Sequence, residues 1–216
     1  MVQENLEQIY SLLFSHFGFQ NWWPGETKDE IIIGAILTQS VSWQNVEKAI
    51  QNLKSENLCN LFAIHQAELG KIAKLIEPTF YFNQKALKLK NFTEMFYEKF
   101  RGNFDKLFAL DLIDMRSEFL DLNGIGPETA DSIILYAAEK PIFVVDAYTK
   151  RIFSRLGYVI EKWKYQEIQD FFMKNLPHKV GLFKDLHAQI VKLGKEYCRK
   201  RNPVCDVCPL GKMCKY

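Results

Sequence analysis

Four of the chain's five cysteines, Cys198, Cys205, Cys208 and Cys214, crowd its last nineteen residues with the spacing C-x6-C-x2-C-x5-C. The run that carries them, CRKRNPVCDVCPLGKMC, is too short to bury a core of its own, so something else must organise it. Four thiolates can hold tetrahedral zinc or a [4Fe–4S] cluster. Zinc sites usually use two similar short-spaced pairs, and only Cys205 and Cys208 form one, so the spacing leans toward iron and sulfur. Zinc and unbound surface cysteines remain the alternatives. From Lys184 to Tyr216 eight Lys or Arg stand against three Asp or Glu, a local charge of +5. Lys195, Arg199, Lys200 and Arg201 sit on or beside the first cysteine loop, where a fixed metal site would turn them toward a polyanion; a solvated charge run is the plainer reading. The remaining cysteine, Cys59, reads as a small buried hydrophobe.

A second constellation is Leu122-Asn123-Gly124-Ile125-Gly126-Pro127, a glycine hairpin between two helical patterns. Backbone N–H groups at the start of the following helix suit a phosphate, the glycines allow close approach, and Ile125 can anchor the turn in the core. Alone, Gly-x-Gly reads more simply as a structural turn between helices. Twenty residues past Gly126 stands Asp146, directly after the apolar run Ile142-Phe143-Val144-Val145. A carboxylate there could polarise a water or stabilise an oxocarbenium ion, while by itself an ordinary helix N-cap is the plainer reading. Lys150 and Arg151, one turn on, could meet phosphates or solvent.

The elements that must position these residues read as helices. Leu6, Ile9, Tyr10, Leu13, Phe14 and Phe17 make one helical stripe. Thr27-Lys28-Asp29-Glu30 has the form of a capping box and precedes the apolar run Ile31 to Leu37, and the loop after it carries Gln39 and Ser40. Ser42 can cap the next helix, with a shorter one from Leu69 to Ile76 and another from Lys85 to Phe100. Leu112, Met115, Phe119 and Leu122 share a face before the hairpin, and Pro127 suits the first position of its successor. The apolar run 141–145 has no partner strand and reads as a buried connector, with helices following from about Ala147, Tyr165 and Leu182. The expectation is an all-α protein of two helical lobes.

Composition narrows the rest. The chain has 48% hydrophobic residues and a net charge of +2, so disorder is excluded and global charge names no partner. No apolar run approaches the length of a membrane span, and no secretory signal is visible, so no membrane role and a reducing, cytoplasmic location are expected.

GIGPETAD in a helix-hairpin-helix, the downstream VVDAYTKR, the terminal cysteine pattern, ILTQS near the start and FYFNQKALKL in the middle together resemble the endonuclease III superfamily of DNA glycosylases. The resemblance covers nearly the whole chain. It implies a six-helix barrel lobe over 21–138 with the helix-hairpin-helix, and a second helical lobe from 1–20 plus 139–216 with a [4Fe–4S] loop over 198–214. By that resemblance double-stranded DNA with a damaged base lies across the cleft, and the protein acts as a monomer on nucleoid DNA. Gly124 and Gly126, anchored by Ile125, would bind a phosphate, with room for a monovalent cation. Gln39 would fill the hole left by the flipped nucleotide, Asp146 matches the catalytic aspartate, and Lys150, Arg199 and Lys200 would neutralise phosphates.

One departure changes the expected chemistry. The bifunctional pattern places a Schiff-base lysine two residues past the second hairpin glycine, and here that residue is Glu128. A carboxylate forms no imine, so activated water becomes the attacker and an intact abasic site the product. Among monofunctional branches the chain looks most like bacterial 3-methyladenine DNA glycosylases, through Trp22-Trp23-Pro24, Leu37-Thr38-Gln39, Phe82-Asn83-Gln84-Lys85-Ala86, Glu128, Ala130-Asp131 and Val144-Val145-Asp146. That likeness makes Trp22, Trp23, Trp43 and Glu128 the expected base pocket, where aromatic faces hold a cationic or electron-poor purine. Core packing is the plain alternative for the tryptophans, and filling the vacant lysine position for Glu128. That branch does not uniformly carry the four cysteines. Two other functions stay in play: a bifunctional enzyme on oxidised pyrimidines using another amine such as Lys150, and a non-catalytic DNA-binding damage sensor.

Overall fold

The computed structural model describes residues 2–216, and among them every regular element is helical. The helices form two compact units, Pro24–Glu139 and the chain up to Trp23 together with Lys140–Tyr216. The Pro24–Glu139 unit holds α2 (Lys28–Leu37), α3 (Trp43–Ser55), α4 (Leu61–Gln66), α5 (Leu69–Leu75), α6 (Phe82–Phe100), α7 (Phe104–Phe108), α8 (Leu112–Leu120) and α9 (Pro127–Tyr136). The other unit holds α1 (Val2–Phe17), α10 (Ala147–Leu156), α11 (Tyr165–Asn175) and α12 (Val180–Glu196).

In the Pro24–Glu139 unit α2 is the central helix. Thr27 Oγ1 accepts from the Glu30 N–H at 3.1 Å, and the Glu30 carboxylate accepts from the Glu26 N–H at 3.3 Å. The box therefore closes one residue before the cap. Ile32, Ile33, Ile36 and Leu37 are fully buried against α3, α6 and α9, each worth about 1.5–3 kcal/mol by burial. Ser42 occupies the N-cap of α3 but makes no side-chain cap bond, unlike the role its type suggested. Helix α6 starts at Phe82, a turn earlier than the sequence pattern indicated, and Phe92 meets Phe119 of α8 at 5.6 Å between ring centres.

The hairpin forms where expected, between α8 and α9. Ile125 is 4% exposed and its N–H closes the turn on Leu122 O at 3.0 Å, while Gly124 takes φ +89°. Across the turn, the Arg116 guanidinium grips the fully buried Asp131 carboxylate, Nε to Oδ1 at 2.7 Å and Nη2 to Oδ2 at 3.3 Å. A two-pronged pair of this kind fixes the angle between the hairpin helices. Asp131→Ala takes the carboxylate from a mostly buried guanidinium and is expected to cost about 3 kcal/mol in chemical denaturation. A loss under about 1 kcal/mol would remove the pair from the hairpin's supports.

In the second unit the connector 141–145 is extended and buried without any strand partner. Helix α11 supplies what a neighbouring strand would: Gln169 Nε2 donates to Phe143 O at 2.7 Å, and the Val145 N–H donates to the Tyr165 hydroxyl at 3.3 Å. Phe143 stacks on Phe172 at 4.0 Å and meets Phe183 edge-on at 5.5 Å. Helix α10 packs on α12 at Gly194, where a Cβ would collide with the Tyr148 ring.

Candidate active site

Asp146 ends the buried connector and caps α10, its Oδ1 accepting from the Thr149 N–H at 2.6 Å. Its Oδ2 faces His187 Nε2 of α12 at 3.5 Å, and the two side chains are 11% and 5% exposed. Burial alone would push this carboxyl up. The hydrogen bond and charge of His187, with the Thr149 hydrogen bonds, outweigh it and hold Asp146 below its ordinary value. The Tyr148 phenol beside it is pushed up by burial and by the Asp146 charge. Asp146 is thus the helix cap, and its second oxygen, beside His187, belongs to a carboxyl held below its ordinary value.

Trp22 lies 5.5 Å from the His187 ring and 5.2 Å from Trp23, so an aromatic pair borders the Asp146–His187 site. Both tryptophans are half-buried. Trp43 and Glu128 belong to the other unit. The Trp43 indole N–H donates to Glu47 Oε1 at 2.9 Å, one turn along α3, and Glu128 is exposed in the first turn of α9. The Lys150 ammonium donates to Trp163 O at 3.0 Å, so the amine suggested for an alternative imine chemistry is engaged by backbone. Arg199 and Lys200 are exposed.

Within the Pro24–Glu139 unit Gln39 is brought to the hairpin. Its Nε2 donates to Gly124 O at 3.1 Å and to Thr129 Oγ1 at 2.9 Å, and its Oε1 accepts from Lys88 Nζ. Lys85 is 2% exposed and donates to Leu37 O at 2.9 Å and Thr79 O at 2.6 Å, tying the end of α2 to the loop before α6. Burial, with the nearby Lys88 charge, pushes this ammonium down to about 8. The loop so tied presents Phe80 and Tyr81, 61% and 70% exposed, at φ +53° and +47°. Phe80, Tyr81 and Lys88 stand in the motif FYFNQKALKL but received no role from the sequence, and His187 was not read at all. A histidine on an apolar helical face looks like core, and a positive φ without glycine leaves no signal.

The four clustered cysteines are free of disulfides. Among the described residues no three His, Cys, Asp or Glu side chains close on one point tightly enough to hold a single metal ion. The sulfurs nonetheless share a neighbourhood. Burial raises the Cys208 thiol, a backbone hydrogen bond at Leu210 opposes, and the sulfurs of Cys198, Cys214 and Cys205 add to the rise. Arg155 of α10 binds the loop from within: Nη1 donates to Cys198 Sγ at 3.2 Å and to Arg199 O at 2.8 Å, and its guanidinium lies 4.1 Å over the Tyr216 ring. Arg151 donates to Cys198 O at 2.9 Å and Gly194 O at 3.2 Å, so it faces the loop and not solvent. Four thiols close enough to influence one another, two of them already accepting N–H hydrogen bonds, are a donor set whose chemistry suits an iron–sulfur cluster.

Residues 33–178, well over half of the chain, match the family model described as HhH-GPD superfamily base excision DNA repair protein. A Methanocaldococcus jannaschii protein provisionally named a DNA repair glycosylase is 47% identical over 98% of this chain and 96% of its own. Endonuclease III of Thermotoga maritima is 28% identical over 86% of this chain and 82% of its own. The H. pylori 3-methyladenine DNA glycosylase bound to 1,N6-ethenoadenine superposes with a TM-score of 0.77 at 30% identity, covering 89% of this chain and 96% of that one. A non-covalent endonuclease III–DNA complex gives 0.84 at 20% identity over 100% and 96%, which is a likeness of fold. The chain belongs to the HhH-GPD superfamily of base excision DNA repair proteins.

Proposed function

We propose that this DNA glycosylase is monofunctional, releases alkylated purines such as 3-methyladenine from duplex DNA, and leaves an intact abasic site. The observation that carries the reading is that the chain has an Asp146 carboxyl held below its ordinary value and, at the position where the bifunctional pattern has its amine, the carboxylate Glu128. The likeness to the H. pylori 3-methyladenine DNA glycosylase supports the substrate class.

A carboxylate held below its ordinary value is a weak base, so Asp146 acts chiefly by its charge. The N-glycosidic bond breaks with its electron pair going to the cationic base, which departs neutral. Positive charge develops on the sugar, where Asp146 stabilises it, and water adds at C1′ and loses its proton through the same carboxylate. No general acid is needed for a base that is already a good leaving group. Trp22 and Trp23, beside His187, offer the faces on which such a purine stacks. The exposed hairpin glycines Gly124 and Gly126, with Arg199 and Lys200, take phosphates.

In this reading Cys198, Cys205, Cys208 and Cys214 hold a [4Fe–4S] cluster, which when bound supplies the cross-link that a tail without its own core lacks. Arg155 then orients the first and last of these cysteines through Cys198 Sγ and through its own carbonyl, which lies 3.7 Å from Cys214 Sγ.

The test is base release from methylated duplex DNA, with and without hot alkali. Free 3-methyladenine or a related alkylpurine with strand breaks only after alkali is the expected result. Strand breaks without alkali, or borohydride trapping of a covalent adduct, would overturn the monofunctional assignment.

A further inference from the structure

Gln39, the residue read as filling the gap in the duplex, is not waiting free in this structure. Both ends of its amide are engaged on the hairpin, through Gly124 O, Thr129 Oγ1 and Lys88 Nζ. Thr129 is buried in the first turn of α9, so one of these anchors is part of the core. To enter DNA the side chain must give up all three bonds. The residue after it, Ser40, sits at φ +56°, a conformation whose relaxation would swing the loop.

Lys88 is the element that can decide when this happens. Lys85, one turn earlier on α6, spends its ammonium on two buried carbonyls. Lys88 is half-exposed and lays its stem over Gly124, so close that a Cβ there would overlap its Cγ, Cδ and Cε. The second reason for glycine at 124, beside its positive φ, is therefore to let this lysine pass. Its ammonium ends on the oxygen of a neutral amide, next to exposed hairpin glycines at the start of a helix whose N-cap, Gly126, makes no side-chain cap bond. A phosphate oxygen is the stronger acceptor for an ammonium, because it carries a full negative charge that the amide oxygen lacks and adds Coulomb attraction to the hydrogen bond.

We propose that Lys88 couples phosphate capture at the hairpin to the release of Gln39. In the free protein the ammonium pins the Gln39 amide against Gly124 and Thr129. A backbone phosphate arriving at Gly124–Gly126 draws the ammonium to itself, and Gln39, held then only by its two neutral Nε2 bonds, exchanges these for partners in the duplex or in water. The exchange is one of hydrogen bonds only, with no proton changing owner. It rests on the reading above in taking duplex DNA as the source of the phosphate, the hairpin glycines as its seat and Gln39 as the side chain that enters the duplex.

The experiment follows the side-chain NH2 resonance of Gln39 in the full-length 15N-labelled protein, assigned by its loss in Gln39→Ala. In the wild type without DNA the resonance should be shifted and slow to exchange with solvent, and undamaged duplex should move it to the position of a free amide. Lys88→Met should show the free-amide position before any DNA is added. The same variant should reduce the salt slope of duplex binding by about 0.9, one phosphate contact, while Lys88→Arg keeps the slope. Should Lys88→Met not fold, Lys88→Gln takes its place. Inorganic phosphate at millimolar concentration is the second arm: release by phosphate alone, or by duplex alone, both support the coupling and identify which source suffices. An unchanged Gln39 resonance in Lys88→Met overturns the proposal, and so does an unchanged salt slope. Every readout uses undamaged DNA. A protein that released no base would overturn the glycosylase reading and leave this one standing, and an immobile Gln39 amide would do the reverse.

Discussion

Asp146→Asn is expected to fold, to bind duplex DNA, and to release base about 10³-fold more slowly in a single turnover. Asparagine is as good an N-cap as aspartate, so the Thr149 N–H keeps its acceptor and α10 its first turn. What disappears is the negative charge that, in the proposed mechanism, faces the developing positive charge on the sugar. The pH dependence follows from the same depressed carboxyl. Its folded value lies below the ordinary 3.8, so its contribution to stability is full above that pH and is lost as pH falls through the lower folded value. Between pH 5 and 8 the wild-type rate should therefore show no limb from protonation of Asp146. Full base release by Asp146→Asn would remove this residue from the chemistry.

The partner of that carboxylate gives the second large effect. His187→Phe keeps a ring against Trp22 but removes the nitrogen that stands 3.5 Å from Asp146 Oδ2. Burial, the largest influence on Asp146, then goes less opposed, and the carboxyl rises. Base release should fall by about 10- to 100-fold at neutral pH, with an acid limb appearing where the wild type has none. His187→Gln, which can place an N–H near Oδ2, should recover part of the rate. The other groups facing Asp146 leave this assignment intact, since Thr149 does not titrate and the Tyr148 phenol is raised farther from neutrality. If His187 only filled space, Phe would outperform Gln, and that order in the single-turnover rates would refute a positioning role.

Much of this architecture could be read before any coordinates. The capping box at Thr27, the stop at Asn123-Gly124, Pro127 at the first turn of α9 and the strandless connector all rest on local chemistry, and local chemistry is what a sequence displays. Helices α4 and α7 escaped because six and five residues give no period to detect, although Asn60 and Asn103 cap them with side-chain bonds. Among the proposed site residues, Asp146 and the hairpin stand out in the sequence through motif and order. His187 was not, because its meaning depends on α12 lying across α10, a relation between helices far apart in the chain. The docking of Gln39 was hidden for the same reason: Lys88, Gly124 and Thr129 come from three separate elements, and no spacing announces their meeting.

The connector that delivers Asp146 gives the sequence record of this protein a particular grain. Gln169 and Tyr165 touch no reacting atom, yet they hold the backbone of Phe143 and Val145, and so set the direction in which Asp146 leaves the core. Apolar replacements at Gln169, 3% exposed, would strand the Phe143 carbonyl in a dry interior, and shorter amides would not reach it. In a map of tolerated substitutions Gln169 would therefore score like a residue of the reaction centre itself. Neighbouring exposed positions on α11, such as Asp170, would drift freely. Inherited variation on a remote helix can thus silence the enzyme while leaving the residues that meet DNA untouched.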